Sequence, residues 1–292
     1  MNKSDTIKKR IVIRVLALVC LIVLLIWIYW GNNSIEVSQL RIEDKLIPES
    51  LNGFTIVHIS DLHNKEFGKQ QENLLKKIKE AKPDLIAITG DIIDSRSTDI
   101  KKALDLIEGA IKVAPIYFVT GNHEAWAEEY KDLKKHLEQT GVIILDDNMV
   151  NILEGNTAIQ LIGLADPDFT VKSDLLNEVK AMVNTKLQNM VSTEASYRIL
   201  LSHRPELIDV YEKNSINLVL SGHAHGGQFR IPFIGGLIAP DQGFFPKYTE
   251  GLYRVGETKL IVSRGLGNSI IPFRINNRPE LVVITLTNIK EK

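Results

Sequence analysis

The chain has 292 residues, 44% hydrophobic and 24% charged, enough for one large or two small domains with a sizeable core. Its net charge of −1 gives no global case for nucleic-acid binding, and its single cysteine, Cys20, excludes an intramolecular disulfide. Neither repeats nor low-complexity tracts interrupt the sequence.

The N-terminus stands apart. Lys3, Lys8, Lys9 and Arg10 precede Ile11 to Trp30, a run broken by one charge, Arg14. As a helix it would span about 30 Å, the thickness of a bilayer core. Arg14 lies near the basic end, where it can snorkel, and Trp27, Tyr29 and Trp30 lie at the other, where aromatic residues anchor. The pattern predicts a cytoplasmic basic N-terminus over 1–10, an uncleaved transmembrane signal-anchor over 11–30, and a domain over 34–292 outside the cytoplasmic membrane. A cleaved signal fits less well, because Tyr29-Trp30-Gly31-Asn32-Asn33 is a poor cut site. A lipoprotein would need a small residue where Val19 stands.

Beyond the anchor, Ile35 to Ile42 alternates as an edge strand, and Leu46 to Gly53, with Pro48, reads as a turn. Phe54 to Ser60 is a strand running into Asp61-Leu62-His63; His58 has the opposite parity to that pair and reads as a core histidine. Gln71 to Lys82 has helical spacing, Asp84 to Thr89 is a strand stopping at Gly90-Asp91, and Thr98 to Val113 is helical again. Ile116 to Val119 is a strand ending at Gly121-Asn122-His123-Glu124, followed by a helix over Ala125 to Thr140 and a strand over Val142 to Leu145. This alternation predicts parallel βαβ units with helices covering a sheet.

Val150 to Leu164 reads as a hairpin around Glu154-Gly155-Asn156, and Asp174 to Val191 as a helix. Tyr197 to Leu201 leads to Ser202-His203-Arg204-Pro205, and a short helix covers Glu206 to Glu212. The apolar run Ile216 to Leu220 then enters Ser221-Gly222-His223-Ala224-His225-Gly226-Gly227, in which extended alternation would aim both histidines the same way. A Gly-, Pro- and Phe-rich stretch runs to Gly251, followed by a hairpin over 252–263 and a closing strand over 280–287.

Five predicted strands thus end in loops bearing Asp61/His63, Asp91, Asn122/His123, His203 and His223/His225, and five of the seven histidines lie there. Strand ends are where ligands bind in open α/β sheets, and imidazoles mixed with carboxylates suit a borderline divalent cation. Asp-Leu-His, Gly-Asp-Ile-Ile-Asp, Gly-Asn-His-Glu, a lone His and Gly-His-Ala-His, in this order from about Phe54 to Gly227, resemble the calcineurin-like metallophosphoesterase superfamily. Ser202 to Glu206, Gly226-Gly227-Gln228 and Ser263 to Gly267 resemble more narrowly its membrane-anchored bacterial YkuE/YaeI-type branch.

The resemblance implies an α/β fold, a four-layer α/β/β/α sandwich preceded by one N-terminal transmembrane helix. It implies two divalent ions (Mn, Fe or Zn), one held by Asp61, His63, Asp91 and His225, the other by Asp91, Asn122, His203 and His223, with Asp91 bridging. Two such ions clamp a phosphoryl group and lower the pKa of a bound water to roughly 7. His123 is the expected catalytic residue, stabilising charge or protonating the leaving alkoxide. Asp94 reads as a supporting or turn-capping residue, and Arg204 and Arg264 as salt-bridge partners. The function implied is phosphodiester or pyrophosphate hydrolysis outside the membrane, on a lipid-linked or envelope phosphate. The alternatives are a phosphomonoesterase or phosphoprotein phosphatase and a non-catalytic metal-binding scaffold. Phe229 to Ile238, Phe244-Phe245 and Ile270 to Phe273 read either as core packing or as an apolar rim that meets lipid.

Overall fold

The computed structural model describes residues 3–154, 157–171, 175–192, 195, 197–268 and 271–289. Helix α1 (Lys3–Asn33) leads into β1 (Glu36–Asp44), β2 (Thr55–Ile59), α2 (Glu72–Ala81), β3 (Leu85–Thr89), α3 (Ile100–Ala110), β4 (Ile116–Val119), α4 (Asn122–Trp126), α5 (Tyr130–Thr140) and β5 (Ile143–Ile144). Next come β6 (Asn148–Glu154), β7 (Thr157–Gly163), α6 (Leu176–Met190), β8 (Tyr197–Leu201), α7 (Ile208–Lys213) and β9 (Leu218–Ser221). Two short hairpins follow, β10 (Arg230–Ile231) with β11 (Gly235–Gly236) and β12 (Ile238–Ala239) with β13 (Gly243–Phe244). Strands β14 (Gly251–Val255), β15 (Thr258–Val262) and β16 (Glu280–Asn288) complete the chain.

The strands form two main sheets, β1-β16-β2-β3-β4-β5 and β14-β15-β9-β8-β7-β6. Side-chain alternation sorts their residues into three apolar layers. Val57, Ile59, Ile86, Ile88 and Phe118 face Leu74, Ile78, Leu106 and Leu133 of α2, α3 and α5. Ile56, Leu85 and Ala87 face Ile199, Leu201, Leu218 and Leu220 of the other sheet. Leu200, Val219 and Leu260 face Val183, Leu187 and Tyr211 of α6 and α7. Helix, sheet, sheet and helix are therefore stacked as the expected α/β/β/α sandwich.

Several expectations shift. The helix over 125–140 is two helices, because Ala127 is extended (φ −86°, ψ 126°) and the preceding turn is drawn towards β3 by Glu124. The strand over 280–287 does not close an edge; β16 lies inside its sheet, parallel to β1 and antiparallel to β2. The Phe-rich stretch carries the two short hairpins. Gly155 and Asn156 of the expected turn, Asp174 and Ile270 lie outside the described residues.

Within α1, Lys9–Asn33 is long and apolar enough to cross a membrane, and its most apolar window is unburied by the domain. The helix is nonetheless rooted. Asn32 Nδ2 donates to Arg274 O (3.0 Å), Arg274 N donates to Asn32 Oδ1 (2.7 Å), and the Arg278 guanidinium lies 4.6 Å from the Trp30 ring centre. Lys65 Nζ donates to the Asn32 carbonyl.

His58 shares the inter-sheet face with Ile56, and its Nε2 meets Thr89 Oγ1 at 2.8 Å. Burial lowers its imidazole from 6.5 to about 3, so it is neutral in the fold but protonates in the unfolded chain below about 6.5. Its contribution is full above pH 6.5 and falls as pH drops towards 3, at no more than about 1.4 kcal/mol per pH unit for one proton. We expect His58→Gln to make the acid loss of Tm shallower between pH 6.5 and 4; an unchanged slope in thermal melts would remove His58 from the account.

Candidate metal centre

The loops after β2, β3, β4, β8 and β9 converge between the two sheets. Asp61, His63, Asp91, His223 and His225 all take left-handed backbone, with φ of 54°, 45°, 53°, 66° and 48°. Each non-glycine residue held there costs on the order of 1–3 kcal/mol, and such strain clusters at functional sites. The extended alternation expected for His223 and His225 therefore does not apply: β9 ends at Ser221 and the loop coils, so the two rings enter different groups. Gly222 is required by proximity, since a Cβ there would strike Ser60 Oγ and the Asp61 carboxylate.

Ligand-type atoms of Asp61, His63, Asp91 and His225 lie within 4.8 Å of one another, as do those of Asp91, His203 and His223. Asp91 belongs to both groups. In the first, His63 Nε2 is 3.1 Å from His225 Nε2 and 3.5 Å from Asp91 Oδ2, while His225 Nε2 is 3.4 Å from Asp61 Oδ1. In the second, His203 Nε2 is 3.2 Å from Asp91 Oδ2 and 3.1 Å from His223 Nδ1.

Hydrogen bonds set which nitrogens face inward. His203 Nδ1–H donates to Thr89 O (2.7 Å) and His223 Nε2–H to Asp241 Oδ2 (2.8 Å), leaving His203 Nε2 and His223 Nδ1 as bare lone pairs aimed at each other. Two such nitrogens at 3.1 Å repel unless a proton or a cation lies between them. Asn122 Oδ1 is buried with no hydrogen-bond partner among the described residues, in a cleft it shares with His123 and His223. An orphaned amide oxygen beside imidazoles and a shared carboxylate fits a divalent cation that accepts both nitrogen and oxygen ligands.

The charges agree. Burial drives His63 down to about 3 and His225 well below its usual value, keeping both in the neutral, ligand-competent form. Burial opposes the charged form of Asp91 as well, but His203, then His63 and His123, hold its carboxyl well below the usual range. Against its own burial, His203 is pushed up to about 10, chiefly by Asp91. Without cations the cluster thus draws positive charge onto His203.

His123 Nδ1 accepts the Ser95 amide N–H (3.1 Å), which leaves the proton of a neutral ring on Nε2. Asp94 Oδ1 stands 3.6 Å from Nδ1, and Asp94 also caps its own turn through the Arg96 amide (3.0 Å). Arg204 is held by Asp166 at 2.7 and 2.9 Å and pairs with Asp241, while Arg264 pairs with Glu280, so both serve as salt-bridge partners. The cleft, 590 Å³, is lined by Asn122, His123, Arg204, His223 and Asp241, with Trp126, Leu176 and Val179 as an apolar wall.

Two residues escaped the sequence reading. Asp241, which orients His223, sits in a loop with no ligand-like motif. Glu124 looked like the tail of a motif, yet its carboxylate accepts N–H from Gly121 (2.8 Å), Asp91 (2.7 Å), Ile92 (2.9 Å) and Ile93 (3.3 Å). The signal was present, since a Glu at the first turn after a glycine is a capping pattern.

Residues 54–227, more than half of the chain, match the family described as calcineurin-like phosphoesterase. The chain belongs to this family. It is a metallophosphoesterase, and similarity to other members extends past the matched segment. The metallophosphoesterase YkuE of Bacillus subtilis is 30% identical over 88% of this chain and 87% of its own. The phosphodiesterase YaeI of Escherichia coli is 27% identical over 80% and 82%. A transmembrane protein with metallophosphoesterase domain from Danio rerio is 31% identical over 86% of this chain and 57% of its own.

In this metallophosphoesterase, Glu124→Gln would turn an amide N–H towards backbone donors that now meet an oxygen. The expected loss is roughly 1–3 kcal/mol for each donor left unpaired, seen as a lowered Tm together with weaker metal retention. A variant with wild-type Tm would show that the Glu124 carboxylate does not hold these loops.

Proposed function

We propose that the chain is a dinuclear-metal-dependent phosphodiesterase or pyrophosphate hydrolase that acts outside the cytoplasmic membrane on a lipid-linked phosphate. The observation that carries the metal assignment is the sharing of Asp91 between two groups of inward-facing donors. Asp61, His63, Asp91 and His225 would hold one cation, and Asp91, Asn122, His203 and His223 the other. When bound, the pair supplies Lewis acidity towards phosphoryl oxygens and a water activated near neutral pH.

The chain's own groups do the rest. Thr89 O and Asp241 fix the tautomers of His203 and His223, so that the site forms without reorganisation. His123, neutral with its proton on Nε2, donates that N–H as a hydrogen bond to the oxygen on which charge develops as the ester bond breaks, and keeps the proton. Arg204, neutralised by Asp166, shapes the cleft wall next to His223 and keeps its geometry. The diester reading draws support from the E. coli relative, which is named as a phosphodiesterase.

The membrane reading rests on α1 and its flanks. Basic residues precede it, which favours a cytoplasmic N-terminus and an extracytoplasmic domain. The apolar surface of α1 is left uncovered by the domain, and the Danio rerio relative is named as a transmembrane protein. Phospholipid head groups, lipid-linked sugar phosphates and nucleotide-sugar lipids all carry the required bond, and the apolar cleft wall suits such substrates.

The deciding experiment compares bis-p-nitrophenyl phosphate with p-nitrophenyl phosphate in the presence of Mn²⁺, Fe²⁺ or Zn²⁺, with elemental analysis of the same preparation. Faster turnover of the diester is expected. Preference for the monoester would overturn the diesterase reading, and no turnover with any ion would leave a metal-binding scaffold.

His123→Ala is expected to keep both metals and lose about 10²–10³-fold in kcat; metal content falling in step with activity would make His123 a ligand instead. His223→Ala and His225→Ala should each empty one site preferentially in metal titrations. Equal loss from both sites in either variant would contradict the division of ligands.

A further inference from the structure

The surface around the two short hairpins is poorly suited to water. Phe233 is fully exposed, and Phe244, Phe245 and Ile234 are 72%, 63% and 63% exposed. Phe233 and Phe245 also hold left-handed backbone, with φ of 68° and 53°, an unfavourable conformation for a bulky residue that gains no core contact by it. Single exposed apolar residues are ordinary, but a cluster of aromatic side chains on one element marks a contact surface. The hairpins act as one flap, since Leu237 N donates to Phe229 O (2.8 Å) and Phe245 N donates to Leu237 O (2.9 Å).

The flap grows from the segment that roots α1. The Phe229 and Phe273 rings are 5.5 Å apart, and Arg230 N donates to Ile275 O at 3.0 Å. Arg274, between Phe273 and Ile275, exchanges both backbone hydrogen bonds with Asn32 at the end of α1. The point where the helix leaves the domain and the base of the aromatic flap are thus parts of one hydrogen-bonded unit.

We propose that the flap is a bilayer-docking element, with Phe233, Ile234, Phe244 and Phe245 seated in the lipid surface that α1 enters. This rests on the membrane reading of α1 given above. Burial of large apolar side chains at an interface is favourable in proportion to the area removed from water. Exposed Lys247 follows Phe244-Phe245-Pro246 and places an ammonium at the level of lipid phosphates. Docking has a consequence for the cleft, because Pro240 and Asp241, in the turn between β12 and β13, line it. The strand that presents Phe244 to lipid therefore continues from the turn that orients His223. A lipid-borne phosphate then meets the cleft at headgroup height, with its acyl chains still in the bilayer.

The test uses full-length protein in liposomes of phosphatidylethanolamine and phosphatidylglycerol. The native Cys20, the chain's single cysteine, is labelled with a fluorophore to report on α1. Phe233→Cys and Phe244→Cys, each in a Cys20→Ser background, report on the flap, and Glu80→Cys reports on a water-facing surface. Docking predicts that labels at 20, 233 and 244 are quenched by spin labels on lipid chains and sheltered from aqueous iodide, while the label at 80 shows the reverse.

If Cys20 lies in lipid but 233 and 244 respond to iodide as 80 does, the docking proposal is wrong and the membrane reading stands. Shelter from iodide without lipid quenching, growing with the protein-to-lipid ratio, would assign the flap to a second copy of the chain and also overturn docking. A Cys20 label that never meets lipid would remove the membrane reading and docking with it. In a parallel assay, Phe233→Ser/Phe244→Ser should hydrolyse bis-p-nitrophenyl phosphate at the wild-type rate and lose about tenfold on a liposomal lipid phosphodiester, as two phenyl rings return to water. An equal loss on both substrates would point to a damaged site instead of lost docking.

Discussion

Asp91 carries a carboxylate almost wholly removed from water, and both halves of the sandwich meet on it. It follows β3 of one sheet, whereas His203, 3.2 Å away, follows β8 of the other. Such a charge is tolerated in the interior only with opposite charge and hydrogen bonds around it. The surroundings comply in detail. Glu124 holds its amide, Oδ1 accepts the His123 N–H at 2.8 Å, and three imidazoles crowd its carboxylate side. Beneath this cluster the sheets touch mainly through aliphatic side chains, which bring them together but distinguish poorly between neighbouring registers. The polar cluster at the strand ends selects one.

Thr89 makes that selection mechanical. Its carbonyl accepts both Ser60 Oγ (3.2 Å) and His203 Nδ1 (2.7 Å), and its hydroxyl meets His58. One residue, a single step before Gly90-Asp91, thus connects the two sheets and sets a ring orientation in the site. A substitution there would be felt at His203 although Thr89 has no metal-binding chemistry of its own.

The strands and their polar ends were legible because apolar runs of four to six residues stopping at Ser-Asp, Gly-Asp, Gly-Asn, Ser-His or Gly-His are local patterns. The positions of β2, β3, β4, β8 and β9 could be read from them with little error. What was not legible depends on distance or on backbone conformation. The place of β16 between β1 and β2 rests on pairings between chain ends, which leave no local trace. The left-handed turns at Asp61, His63, Asp91, His223 and His225 cannot be inferred from residue types that usually avoid them, so the two histidines after β9 were given the wrong geometry for a loop that does reach both groups. Asp241 contacts the site across the second hairpin from a stretch rich in Gly, Pro and Phe, where only composition was visible.

The location of β16 also sets the order of events in biosynthesis. Among the described residues β1 pairs with β16 alone and β2 is flanked on one side by β16, so neither strand is fully paired before residues 280–288 exist. Closing that pairing spans nearly the whole domain, an entropically slow contact that awaits residues 280–288. The strands beneath the Asp61, His63 and Asp91 loops therefore gain their full support only once β16 has been made. A chain that stops short of β16 has these side chains but not the full frame that brings them to one point. Assembly of the cluster thereby becomes a late step, reserved for chains that include β16.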